Sequence, residues 1–301
     1  MASTVKITRI TVTHFQDEIV NLGMEAQYGF DMVYQEGSRL PSGGSILTIE
    51  TDAGVRAEVP DGEIQPRVAQ YLLGRNALER ETIWHDLKRL HREPSATPPG
   101  SVDVALWDIA GKAADVPVYK LLGGKIRDKV LTYNGSVRFP MNGQTPQDYA
   151  ENMAKMKASK EGFTIIKQAV GFHNRGMMGL PNMSFDEMPT GQSAIPGPPA
   201  RGLMTEHGLN YVIDCVRAMK EVLGDEVGLA LDCGPGWMLP DAIRFAQAIE
   251  PLNVMWVEDM LTGDYTPYVQ ADLYRDLTTS TSTPVHTGEQ IYLRQNFTEL
   301  I

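Results

Sequence analysis

The sequence predicts an α/β protein in two parts: an α+β unit over residues 1–128, then repeated strand–helix units over 129–301 that imply a parallel sheet. Three observations carry this. Strand-like and then helical apolar spacing fills the first part; strand and helix signals alternate after about residue 130; and three of the later strand candidates end in an acidic residue.

In the first part, Val5 to Phe15 reads as a strand, with Val5, Ile7, Ile10 and Val12 among threonines, although the alternation slips by one after Ile7. Ser45 to Thr51 is a second strand, and a third extended stretch ends at Pro60. The polar, glycine- and aromatic-containing connection from Asn21 to Gly44 is too long for a hairpin turn and is expected to be a long loop. Ile64 to Arg92 is helical, and Ser101 to Ala114 is expected to be a buried helix, with Val104, Leu106, Trp107 and Ala110 at helical spacing.

In the second part, strands are expected at Val130–Val137, Phe163–Val170, Val227–Asp232, Val254–Glu258 and Pro284–Glu289. Helices fall between them: Pro146–Lys160 with Thr145 as N-cap, Glu206–Leu223 stopped by Gly224, Pro240–Ile249 and Pro267–Leu277. Such repeats fit an open doubly wound sheet or a closed barrel. Gly171 to Met204 breaks the rhythm with five prolines and five methionines, and is expected to be irregular, as a lid or a subunit contact. A closed (β/α)₈ barrel takes about 250 residues, whereas 171 follow residue 130. Either the sheet is open, or the barrel is completed in a longer chain beyond Ile301.

Composition narrows the function. With 27 Lys+Arg against 38 Asp+Glu, a net charge of −11 and no basic run, a nucleic-acid or anionic-membrane surface is excluded. Two cysteines, Cys215 and Cys233, fit a reducing cytoplasm. No stretch has membrane-spanning length, and no signal-peptide apolar region is present. A soluble cytoplasmic protein acting on a small molecule is the expectation.

Asp232, Glu258 and Glu289 end three consecutive strands, 26 and 31 residues apart, so in a parallel barrel their side chains converge on one face. Three close carboxylates repel unless a cation neutralises them, and an all-oxygen set suits a hard ion such as Mg²⁺. Any one acid could instead cap the next helix; three at the same phase favour the metal.

The segments Ser101–Gly124 (SVDVALWDIAGKAADVPVYKLLGG), Leu231–Trp237 (LDCGPGW), Trp256–Asp259 (WVED) and Gly288-Glu289 resemble the enolase superfamily, most nearly its mandelate racemase/muconate lactonizing enzyme branch. The resemblance implies an α+β capping domain (1–128), a modified TIM-type barrel (129–301) incomplete at its C-terminus, and Asp232, Glu258 and Glu289 as Mg²⁺ ligands. It also implies that the Asn21–Gly44 and Thr51–Gly62 loops close over the substrate. The implied chemistry is abstraction of a proton α to a carboxylate through a metal-stabilised enediolate, with a Lys or His base.

Members of the branch carry Lys-x-Lys at the end of the second barrel strand. Here Lys167 matches the first lysine, expected near metal and substrate carboxylate, while Ala169 stands where the proton-abstracting lysine would be. The family's His-Asp dyad would fall beyond Ile301. His286, three residues before Glu289, is expected by alternation to face away from it as a packed histidine, and His173 and His207 reach the site only if the excursion folds inward. The broken Lys-x-Lys and long excursion resemble acid-sugar dehydratases, which form 2-keto-3-deoxy acids and can work with one base and one acid. The partner expected is thus a small-molecule sugar acid, in a homo-oligomer whose contacts use the excursion's apolar residues. A racemase or epimerase of a carboxylic acid, and a silent member with a regulatory or structural role, are the competing readings.

Overall fold

A computed structural model describes residues 4–24, 32–90, 100–135, 138–185, 202–261, 270–289 and 291–301. The chain divides into two compact units, one of residues 1–19 and 41–130, the other of residues 20–40 and 131–301.

Strands β1 (Ile7–Met24), β2 (Met32–Thr51) and β3 (Arg56–Pro60) form a sheet in that order, with β2 and β3 antiparallel from Ile46↔Pro60 to Glu50↔Arg56; the first unit holds β1 up to Ile19, β2 from Pro41 and all of β3. Alternation turns Leu47, Ile49, Ala57 and Val59 inward. The helices are α1 (Pro66–Leu72), α2 (Arg80–Leu90), α3 (Gly100–Ala113) and α4 (Val118–Leu121). The core joins Leu47 and Ile49 to Val68, Leu72, Ile83 and Ile109. The α3 stripe is Val102, Ala105, Leu106, Ile109 and Ala110, a 3–4 spacing that leaves Val104 56% exposed, against the expected buried set. Trp107 instead lies under the Arg80 guanidinium, 4.1 Å from ring centroid to Cζ.

The expected Asn21–Gly44 loop differs most. Its described parts, 21–24 and 32–44, continue β1 and β2, and residues 25–31 lie outside the described set. Extended backbone with paired neighbours satisfies its peptide groups despite the polar side chains. Thr51–Gly62 is a β-turn and strand rather than a loop.

The second unit alternates strand and helix: α5 (Pro146–Lys157), β4 (Ile165–Ala169), α6 (Arg175–Met178), α7 (Glu206–Leu223), β5 (Gly228–Asp232), α8 (Leu239–Ala248), β6 (Trp256–Glu258), α9 (Ala271–Ser280), β7 (Val285–His286) and α10 (Arg294–Leu300). The four strands are hydrogen-bonded in the order β4-β5-β6-β7, all parallel, and among the described residues the sheet does not close. The described part of the expected Val130–Val137 strand, residues 130–135, reduces to one parallel bridge, Asn134↔Ile166, and residues 136–137 lie outside the described set. Thr145 does cap α5, in a reciprocal box with Asp148, and α7 begins and ends where the pattern places it.

Alternation splits the strands' side chains. Ile166, Leu229, Leu231 and Val257 enter the apolar core with Val212, Val216 and Phe245 from α7 and α8. The described part of the Gly171–Met204 excursion is ordered: a 3-10 turn at Gly171–His173, then α6. Met177, Met178, Met183 and Met204 are buried in the same core, while Met188 lies outside the described residues. Those four methionines therefore supply core rather than contact surface; Phe185 and Leu203 are the exposed apolar residues there.

Candidate metal centre and active site

Strand register builds the site. Cα partners across the parallel sheet are Lys167↔Ala230, Ala169↔Asp232, Asp232↔Glu258 and Glu258↔His286, so Lys167, Asp232, Glu258 and His286 share the face opposite the apolar core. Ala169 and Ala230, both fully buried, keep that face shallow beside the charged groups.

The Lys167 ammonium bridges two strands, with Nζ 2.6 Å from Glu258 Oε1 and 2.9 Å from Asp232 Oδ2. Burial alone would lower the lysine pKa, but the adjacent Asp232 and Glu258 carboxylates outweigh it and hold the group above the usual lysine range. Trp256, two residues before Glu258 on the same face, donates its indole N–H to Glu258 Oε2 at 2.8 Å. Tyr133 stands edge-on to Trp256 and beneath Lys167, whose Nζ is 5.8 Å from the ring centroid.

Glu289 reaches the same region by another route. Potential ligand atoms of Glu258, Asp259 and Glu289 lie within 4.8 Å of one another. The Asp259 backbone is left-handed (φ 50°), which ends the alternation and turns successive carboxylates into one group. Asp232 is outside this trio and shares Lys167 with Glu258 instead. Lys167 contacts Asp232 and Glu258, and Asp259 and Glu289 gather at Glu258; these carboxylates, all offering oxygen, are a donor set that fits a hard divalent cation.

Two imidazoles flank the carboxylates. His173 Nδ1 is 3.4 Å from Asp232 Oδ1, and His286 Nδ1 is 3.4 Å from Glu258 Oε2. The expected packed His286 is corrected: β7 ends at His286 and the chain turns at Gly288 (φ 117°), so alternation does not extend to Glu289, and the His286 side chain is 58% exposed. His173 is held by the 3-10 turn after β4, where its backbone N–H donates to Cys233 O at 3.1 Å. Its ring lies against Gly234, where an added Cβ would stand 2.3 Å from Nδ1. His207 opens α7 and stands near Tyr211.

Of the sequence candidates, Lys167, Asp232 and Glu258 come together directly, and Glu289 joins through Glu258. Asp259 and Trp256 are the neighbours that spacing did not single out, and of the two histidines expected only if the excursion folds inward, His173 stands beside Asp232. A left-handed-tolerant Asp directly after Glu258, and a His closely following a strand end at a glycine, were the available signals.

Residues 148–301 match the family described as Enolase C-terminal domain-like, and residues 37–123 match the Mandelate racemase / muconate lactonizing enzyme, N-terminal domain. D-mannonate dehydratase of Caulobacter vibrioides is 32% identical over 230 residues, covering 75% of this chain and 54% of that protein. D-xylonate dehydratase of Haloferax volcanii is 27% identical over 264 residues, covering 82% and 56%. The chain thus spans little more than half the length of these relatives. Among solved structures, a mandelate racemase/muconate lactonizing enzyme-like protein from Rubrobacter xylanophilus has a TM-score of 0.69 at 23% identity, covering 99% of this chain and 70% of that one. D-glucarate dehydratase from Agrobacterium tumefaciens has a TM-score of 0.62 at 23% identity, covering 94% and 67%. Both likenesses are of fold. With both halves of the chain matched and the strand-end acids on one sheet, the chain belongs to the enolase superfamily, in its mandelate racemase/muconate lactonizing enzyme branch.

Proposed function

We propose that this protein acts as a Mg²⁺-dependent dehydratase of a sugar acid, removing the proton α to the carboxylate and eliminating the β-hydroxyl to leave a 2-keto-3-deoxy acid. The observation that carries the reading is the Asp232–Lys167–Glu258 bridge across adjacent strand ends, with Asp259 and Glu289 alongside. The names of the sugar-acid dehydratases among its relatives support the same class.

Asp232, Glu258 and Glu289 would hold the metal, with Asp259 as a further oxygen donor. Mg²⁺ when bound supplies positive charge against which a second negative charge can develop on the substrate. Lys167 adds a positive charge for the substrate carboxylate. Ala169 offers no base, and among the described residues the candidates for proton transfer are the imidazoles beside the carboxylates. His173, one-third exposed, stands beside Asp232 and His286 beside Glu258, each at 3.4 Å.

The test is a panel of sugar acids incubated with Mg²⁺, with 2-keto-3-deoxy product measured as its semicarbazone. Product formation that Glu258→Gln abolishes supports the reading. Solvent deuterium entering the α-carbon of recovered substrate, without product, would transfer the assignment to a racemase or epimerase. Mg²⁺ binding with neither outcome would favour a silent member.

A further inference from the structure

Lys167 Nζ lies 2.6 Å from Glu258 Oε1 and 2.9 Å from Asp232 Oδ2, where a cation shared by the two carboxylates would sit. The side chains of Lys167, Asp232 and Glu258 are all at most 14% exposed, so water screens the two acids from each other only weakly. Unpaired, they would carry both mutual repulsion and the cost of burying charge. The remaining neighbours cannot replace the ammonium: the Trp256 indole is neutral, and both imidazole contacts are longer, at 3.4 Å. A lysine suits such a post because its charge is compact and its four-carbon stem can swing.

We propose that Lys167 is a displaceable internal counter-ion, which keeps Asp232 and Glu258 paired while no metal is bound and gives up its place when a divalent cation binds them. The inference rests on the reading of these acids as metal ligands. Two consequences follow from charge alone. The metal competes with a built-in cation, so its affinity is lower than the oxygen donors by themselves would confer. The ammonium becomes free for an anionic ligand only in the metal-loaded protein, so an acid binds after the metal.

The test uses EDTA-treated full chain, Mn²⁺ titration followed by electron paramagnetic resonance, and thermal unfolding in EDTA and in Mg²⁺. Lys167→Met is expected to bind Mn²⁺ about tenfold more tightly than wild type, the effect of removing one nearby like charge, and Lys167→Arg to bind as wild type does. In EDTA, Lys167→Met unfolds at lower temperature, and Mg²⁺ closes the gap. Equal or weaker Mn²⁺ binding by Lys167→Met, or a gap that Mg²⁺ leaves unchanged, overturns the counter-ion role while leaving the metal site intact. Absence of Mn²⁺ binding in every variant overturns the metal reading and this inference together. If Lys167→Met does not fold, reductive methylation of wild type read by peptide mass spectrometry decides: severalfold faster labelling of Lys167 in Mg²⁺ than in EDTA supports displacement, and equal or slower labelling refutes it.

Discussion

Glu258 is the most constrained side chain of the site, receiving the Lys167 ammonium on one oxygen and the Trp256 indole N–H on the other, with Asp259 and Glu289 close by. Glu258→Gln keeps the shape and removes the charge, so turnover is expected to fall by about a hundredfold or more, the scale of losing one electrostatic group at the reacting centre. His173→Gln should lower kcat by about a hundredfold or more while Mg²⁺ affinity stays near wild type, because proton transfer and metal ligation then separate. Gly234→Ala is a subtler probe of the same ring. Its backbone has φ 50° and its new Cβ would collide with His173; kcat should drop as in His173→Gln, and a Gly234→Ala enzyme with unchanged kcat would dissociate His173 from the chemistry. At this scale Lys167, Asp232, Glu258 and Glu289 were legible because each lies within, ends or follows a recognisable strand. Asp259 was not, since it depends on a left-handed backbone, and His173 was legible only conditionally, since its place depends on how a loop folds back.

Elements were legible to the extent that a local pattern specified them. The Thr145 cap and its reciprocal bond with Asp148 follow from a motif of four residues. Thr145→Ala leaves the Asp148 N–H without its partner and should cost about 1 kcal/mol, read as a lower urea midpoint for the second unit. Helix α7 begins at its Thr205 cap and stops at Gly224 for equally local reasons. Strands were harder. Among the described residues, the Val130–Val137 pattern forms one bridge and residues 21–24 and 32–44 form strand, because pairing is decided by neighbours far along the chain rather than by side-chain spacing. Helix α3 shows the third case: its existence was legible and its phase was not, since Val104 and Trp107 are apolar yet lie off the buried stripe.

For the whole molecule, two groups set an alkaline limit. Burial pushes the Cys215 thiol up to about 12 from an ordinary 9.0, and burial together with the Asp86 hydrogen bond raises Tyr71 to about 12 from 10.0. Both folded-state values are raised, so each group's stabilisation is complete below its unfolded value and is lost as pH rises toward 12. Denaturant midpoints should therefore decline from about pH 9 upward, less steeply in Cys215→Ser, and a profile flat to pH 12 would refute the assignment. Cys233 is fully buried as well, its thiol held well above 9.0 by desolvation. Both thiols should react slowly with aromatic disulfide reagents in native protein and at once in denaturant. Among the described residues no helix is long and apolar enough to cross a membrane.

The sequence by itself determined what depends on neighbours within a turn or two: helix caps and stops, the αβ alternation, and acids at strand ends. It also carried the family, because those acids recur at a spacing that a parallel sheet converts into one face. Only the tertiary structure decided which charges meet. Lys167 and Glu258 are separated by 91 positions and touch because β4, β5 and β6 lie in one register. Asp232 pairs with that lysine rather than with Glu289, Asp259 joins through a left-handed turn, and the excursion's four described methionines fill core. Each of these outcomes is settled by long-range packing and by the cost of leaving a buried charge or apolar side chain without a partner, which no local pattern encodes.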